Sequence, residues 1–141
     1  MSVARASYLL DTSALLTLLE DEAGAERVEQ VLKQAQTFIC AVSLLEVRYI
    51  TLQEQNQAEA DVRHVLLKRS GAEILWELDE PVVIKAAGFK ARHAISLADA
   101  LIAASAHRQG AILLHKDPEF DALADQVKQE RLPLKAAGRA R

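Results

Sequence analysis

Three segments of this chain are short and almost wholly apolar, and each leads into a helical pattern: "SYLLD", "TFICAV" and "AILLH". Runs of that length are too short to cross a membrane as helices. Bounded as they are, they read as strands buried on both faces. A strand of that kind needs helices above and below it, and the intervening stretches supply them. A short helix is expected from about Ala14 to Glu20, and "AGAERVEQVLKQA" is amphipathic, with Val28, Val31 and Leu32 on one face. A longer helix is expected from Ser43 through "LLEVRYITLQEQ", and another over "AEADVRHVLLKR". "DEPVVIKAAGFKAR" starts a helix with Asp79 as cap and Pro81 in its first turn. "SLADALIAASAHRQG" is a helix closed by Gly110, and "DPEFDALAD" a short one opened by Pro118. "AEILWEL" alternates, with Ile74, Trp76 and Leu78 on one face and Glu73, Leu75 and Glu77 on the other. That pattern predicts an edge strand with Trp76 in the core. "VKQERLPL" is expected to add a last strand. Strands alternating with helices predict an α/β domain with a largely parallel sheet covered on both sides.

The chain has 141 residues, half of them hydrophobic and 26% charged, which suits one domain with a real core. Residues 1–134 are expected to form it, and the basic tail "KAAGRAR" over 135–141 to be poorly ordered. Cys40 is the single cysteine, so no intrachain disulfide forms; its apolar neighbours predict a buried thiol and a reducing, cytoplasmic location. No signal peptide or membrane span is expected, because Asp11 breaks the first apolar stretch. The net charge of −3 argues against a generally basic nucleic-acid binder. Setting aside the four acids considered next leaves the remainder at +1, so contact with nucleic acid requires a local basic patch.

In parallel sheets, ligands gather beyond the carboxyl ends of the strands. Asp11 ends the first strand, and Glu46 is expected in the first helical turn after the second. Asp117 follows "AILLH", and Asp99 is the only charged residue between Leu97 and Ala106. The eighteen positions from Asp99 to Asp117 hold about one helix and one strand, enough to return the chain to the same sheet edge. Each acid also has a plain structural role open to it. Asp11 and Asp117 suit N-caps, and Ser43-x-x-Glu46 and Ser96-x-x-Asp99 resemble capping boxes. Asp99 strains that account most, since its helix has almost no polar face. Carboxylates gathered at one edge repel one another and rise in pKa unless a cation intervenes. Oxygen-only ligation points to a hard ion such as Mg²⁺ or Mn²⁺. His64, His93, His107 and His115 lack the spacings of a zinc site.

Taken together, "YLLDTSALLTLL", "SLLEVRY", "ISLADALIAASA" and "LLHKDPEF" resemble the PIN domain, and closely the VapC toxins of toxin–antitoxin modules. The resemblance covers nearly the whole chain in order. It implies a three-layer α/β/α sandwich with a largely parallel central sheet and an acidic pocket for one or two divalent ions. It further implies a Mg²⁺-dependent endoribonuclease, with Mn²⁺ able to substitute, acting as the toxin of a type II module. An RNA substrate, a small antitoxin protein and a homodimer are its implied partners. Asp11, Glu46, Asp99 and Asp117 match the acidic quartet of metal ligands, and Ser13 the small hydroxyl residue two beyond the first acid. Many relatives carry Thr or Ser two positions before the final Asp, where this chain has His115; shaping the pocket, contacting phosphate and packing the strand end are its open roles.

The chemistry expected is phosphodiester hydrolysis, with Asp11, Asp99 and Asp117 as metal ligands. Glu46 is expected to ligate a second ion or hold the attacking water, and Ser13 to orient a carboxylate. Arg48, Lys90, Arg92, His93, Arg108 and Lys116 are candidates for phosphate contact. Rival readings are a phosphoacceptor signalling domain using Asp79 and Lys116, a haloacid-type phosphatase, and a catalytically silent RNA-binding domain. The first wants adjacent acids after the first strand and the second wants an acid at position 13, whereas the chain reads "LLDTS". The third leaves a complete acidic quartet without a purpose.

Overall fold

A computed structural model of the chain describes residues 5–134; the basic tail expected over 135–141 lies outside the described residues. The elements in order are β1 (Ser7–Leu10), α1 (Thr12–Leu19), α2 (Ala25–Gln34), β2 (Gln36–Cys40), α3 (Ala41–Glu54) and α4 (Gln57–Lys68). There follow β3 (Glu73–Leu75), α5 (Glu80–Arg92), α6 (Leu97–Gln109), β4 (Ile112–His115), a 3₁₀ helix (Pro118–Leu123) and β5 (Gln129–Arg131). The five strands form one sheet in the order β3-β2-β1-β4-β5, with every pairing parallel. Helices cover both faces, so the architecture is the expected three-layer α/β/α sandwich.

The strand alternation sorts side chains between two cores. Leu9, Phe38, Cys40 and Leu113 pack against α5 and α6, with Val82, Ala86, Phe89, Ile102 and Ala103. Their neighbours Leu10, Ile39 and Leu114 face the opposite way, onto Leu15, Val28, Val31, Val47 and Leu67 from α1 to α4. Both faces being apolar explains why these strands read as unbroken apolar runs. Alanines at 100, 103, 104 and 106, all buried, let α6 lie close against the sheet. Ser96 caps that helix by accepting the Asp99 N–H, and Gly110 closes it in the left-handed conformation at φ 63°. Asp79 caps α5 as expected, accepting the Val82 N–H at 3.1 Å.

Two expectations fail. β3 stops at Leu75, so the alternation of "AEILWEL" does not continue, and Trp76 stands 60% exposed rather than in the core. Leu78 is likewise exposed, and Leu75, assigned to the charged face, packs instead against the α5–α6 core. The edge position of β3 does hold. The second correction concerns α3, which begins at Ala41 directly after β2, with Cys40 at its N-cap and no side-chain capping bond. Ser43 is therefore buried inside the helix instead of capping it, and the capping box with Glu46 does not form.

Candidate metal centre

The sheet order changes direction between β1 and β4, whose neighbours lead to opposite edges. A crevice opens at the carboxyl end of such a pair of strands. Asp11 leaves β1 there and Asp117 leaves β4, while the amino terminus of α6 brings Asp99. The Asp11 N–H donates to the Leu114 carbonyl at 3.0 Å, which ties the two strand ends together.

Asp11 is only 2% exposed. Its Oδ2 accepts from the Ser13 N–H at 3.0 Å and from the Ser13 hydroxyl, so it caps α1 as the plain reading expected. Ser13 Oγ in turn accepts the Lys116 N–H at 2.9 Å, joining the start of α1 to the end of β4. Capping leaves the other oxygen unaccounted for: Asp11 Oδ1 is buried and has no hydrogen-bond partner among the described residues. Burial, opposed by the Ser13 bonds and reinforced by Glu46, pushes the Asp11 carboxyl up to about 6 from an ordinary 3.8.

Asp99 is partly buried and pushed up to about 7. Burial is the first cause, followed by the charges of Asp11, Asp117 and Glu46 and a hydrogen-bonded contact with the Glu119 carboxyl. Among the described residues, Asp99, Asp117 and Glu119 can bring one carboxylate oxygen each within 4.8 Å of one another. Asp117 Oδ1 caps the 3₁₀ helix by accepting the Glu119 N–H at 2.9 Å, which sets the two acids side by side. Sequence reasoning missed Glu119. Its signal was the register of "DPEF": an acid two residues after a capping aspartate can return to the same side of a tight turn.

Glu46 lies in the second turn of α3, not the first, because the helix begins at Ala41. It still reaches the site. The Thr12 hydroxyl, hydrogen-bonded to Ser43 Oγ at 3.1 Å, meets Glu46 Oε1 at 2.7 Å. Thr12 and Ser43 are thus supports that the sequence did not single out. His115 is 1% exposed, and burial lowers its pKa, so the imidazole is neutral at pH 7.

Three of the six basic candidates are committed elsewhere. Arg48 pairs with Asp61 and also donates to the Ala60 carbonyl, Lys90 donates to the Ile95 carbonyl, and Arg108 pairs with Asp79 at 3.4 Å. Asp79, the phosphoacceptor candidate of the rival reading, is the cap of α5 and the partner of Arg108.

The profile of the PIN domain matches residues 8–126. The chain belongs to the PIN domain family. A search of curated proteins returned no match. Solved structures similar to this PIN domain include VapBC2 from Rickettsia felis, bound to a DNA fragment from its promoter. It has 16% identity and a TM-score of 0.75, over 90% of this chain and 99% of that one. VapBC-1 from nontypeable Haemophilus influenzae has 22% identity and a TM-score of 0.71, over 89% and 97%. Mycobacterium tuberculosis VapC20, described as a sarcin–ricin loop cleaving toxin, has 15% identity and a TM-score of 0.66, over 82% and 93%. At these identities the likeness is one of fold.

The residues of this PIN domain suit a hard divalent cation. The donors are carboxylate oxygens drawn from α3, α6, the 3₁₀ helix and the ends of β1 and β4, and one of them, Asp11 Oδ1, is buried without a partner among the described residues. A buried acceptor left unsatisfied costs about 1–3 kcal/mol, and more when ionised. A cation beside it removes that cost.

Proposed function

We propose that this PIN domain is a divalent-metal-dependent endoribonuclease and the toxin of a type II toxin–antitoxin pair, similar to the VapC toxins. The observation that carries the reading is Asp11, a buried carboxylate with one oxygen unpartnered among the described residues, whose charge adds, with Asp117, Glu46 and Glu119, to the burial that raises the pKa of Asp99. Asp11, Asp99 and Asp117, with Glu46 and Glu119 beside them, would hold Mg²⁺, for which Mn²⁺ could substitute. A bound ion supplies positive charge that acidifies a water and offsets charge building on the phosphate.

The chain's own groups do the rest. Ser13 holds Asp11 Oδ2 and, through the Lys116 N–H, keeps the β1 and β4 ends in register. Thr12 occupies Glu46 Oε1, leaving Oε2 to take the proton of the attacking water. Burial of Asp11 keeps its carboxylate out of bulk water, which strengthens the interactions that it makes.

Partners follow from the same reading. The likeness to VapBC complexes supports a small antitoxin, and a groove of 420 Å³ lined by Leu18, Leu19, Leu32, Leu66 and Leu67 suits an amphipathic segment of it. Tyr49, Leu52, Val62 and Val65, all exposed on α3 and α4, supply the apolar surface of a two-fold homodimer. Among the described residues no helix is long and apolar enough to cross a membrane, and the reading places residues 1–134 in the cytoplasm as one PIN domain. The test is incubation of the purified chain with transfer and ribosomal RNAs, with and without Mg²⁺ or Mn²⁺. Metal-dependent cuts that Asp99→Asn abolishes are expected; cleavage undiminished in excess chelator overturns the reading.

A further inference from the structure

Asp117 lies between β4 and the 3₁₀ helix and Glu119 in the first turn of that helix, and two side chains outside the acid set grip this segment. His115 Nδ1 faces the Asp117 N–H at 3.1 Å, and His115 Nε2 lies 2.9 Å from Gln129 Oε1 on β5. The Gln129 amide nitrogen donates to the Phe120 carbonyl at 2.8 Å. These three bonds determine one another. An amide nitrogen only donates, so its bond to Phe120 turns Gln129 Oε1, an acceptor, toward the imidazole. Nε2 must then carry the imidazole proton, and Nδ1 keeps the lone pair that the Asp117 N–H requires.

We propose that His115 and Gln129 are positioning residues: β5, acting through the Gln129 amide and the His115 ring, sets the backbone at Asp117 and so directs the Asp117 and Glu119 carboxylates toward Asp99. Gln129 clasps the segment at both ends, at His115 before Asp117 and at Phe120 after Glu119. Between them the chain has little freedom, because the Lys116 N–H is also taken, by Ser13 Oγ. Packing alone does not account for the pair. The His115 ring lies 5.0 Å from that of Phe120, and an apolar side chain could fill that volume. It could not accept from the Asp117 N–H. Nor would glutamate replace Gln129, since it has no donor for the Phe120 carbonyl.

The consequence for metal affinity rests on the function proposed above; the clasp itself does not, so its test begins with metal-free protein. Nitrogen-15 NMR should find the His115 ring as the Nε2–H tautomer, and the Asp117 amide should exchange slowly. His115→Asn places an acceptor near Nδ1 and should keep that amide slow. His115→Gln places its polar end near Nε2 and should not, and Gln129→Leu should also speed exchange. By calorimetry, His115→Asn should bind Mn²⁺ within about threefold of the unmodified chain, while His115→Gln and Gln129→Leu should bind at least roughly tenfold more weakly. An Nδ1–H tautomer, unchanged exchange in Gln129→Leu, or equal behaviour of the Asn and Gln variants overturns the proposal. Should the His115 variants not fold, Gln129→Leu, at a partly exposed position, decides it by the same measurements. If the unmodified chain binds no Mn²⁺, the nuclease reading falls, and tautomer and amide exchange still decide the clasp.

Discussion

Replacing Asp11 by Asn should stabilise the metal-free protein, against the usual rule that removing a helix cap weakens the fold. In the folded chain the Asp11 carboxyl is raised to about 6 from 3.8, chiefly by burial. Below about pH 4 it is protonated in both states and contributes nothing. Between there and pH 6 the folded state holds a proton that the unfolded chain has released, so stability falls as pH rises. Above pH 6 the full cost applies, about 3 kcal/mol for a rise of this size. Asparagine imitates the protonated acid: its carbonyl can still accept from Ser13, and it never ionises. For a domain of this length about 3 kcal/mol corresponds to roughly 10 °C in Tm. Thermal unfolding of both proteins in chelator, from pH 4 to pH 8, should therefore show equal Tm at the acid end and a growing advantage for Asp11→Asn above it. Mn²⁺ at pH 8 should raise the unmodified protein and close the gap. A variant that is less stable at every pH would refute the reasoning, because capping of α1 would then outweigh the buried charge. A pH-independent difference would refute it equally.

Three further outcomes are expected. Phe120→Ala, at a fully buried site, should cost about 3–5 kcal/mol in urea unfolding, whereas Trp76→Ala, at 60% exposure, should cost under about 1 kcal/mol; comparable losses would contradict the placement of Trp76. Arg27 grips both Glu130 oxygens, at 2.7 and 2.9 Å, and holds the Glu130 carboxyl below its ordinary pKa. That stabilisation is present above the ordinary carboxylate range and lost as pH falls through the lowered value, so Arg27→Ala should cost about 1 kcal/mol at pH 7, allowing for partial exposure, and less at about pH 3. Urea midpoints at the two pH values check it. Val65→Glu, on the exposed face of α4, should convert the proposed dimer to a monomer by light scattering without loss of helix by circular dichroism.

Local rules carry a long way in this chain. Unbroken apolar runs identify β1, β2 and β4, and the caps Asp79, Ser96 and Gly110 bound α5 and α6, because these signals act over a few residues. The acids Asp11, Asp99 and Asp117 were legible for the same reason: a carboxylate at the seam of two apolar elements has few purposes. Other features depend on distance through space. α3 starts at Ala41 without a polar cap, since burial against the sheet replaces the local signal, and Glu46 moves into its second turn. Trp76 leaves the core because β3 ends with its neighbour Leu75, a limit that no alternation pattern announces. Arg48 is drawn to Asp61 across two packed helices. The Thr12 support for Glu46 and the Gln129 support for His115 join residues 34 and 14 positions apart. Sequence alone determined which segments must be buried and which acids are costly to bury; only the packed sheet decided which groups stand next to those acids, because hydrogen bonding and Coulomb energy depend on separation in space rather than along the chain.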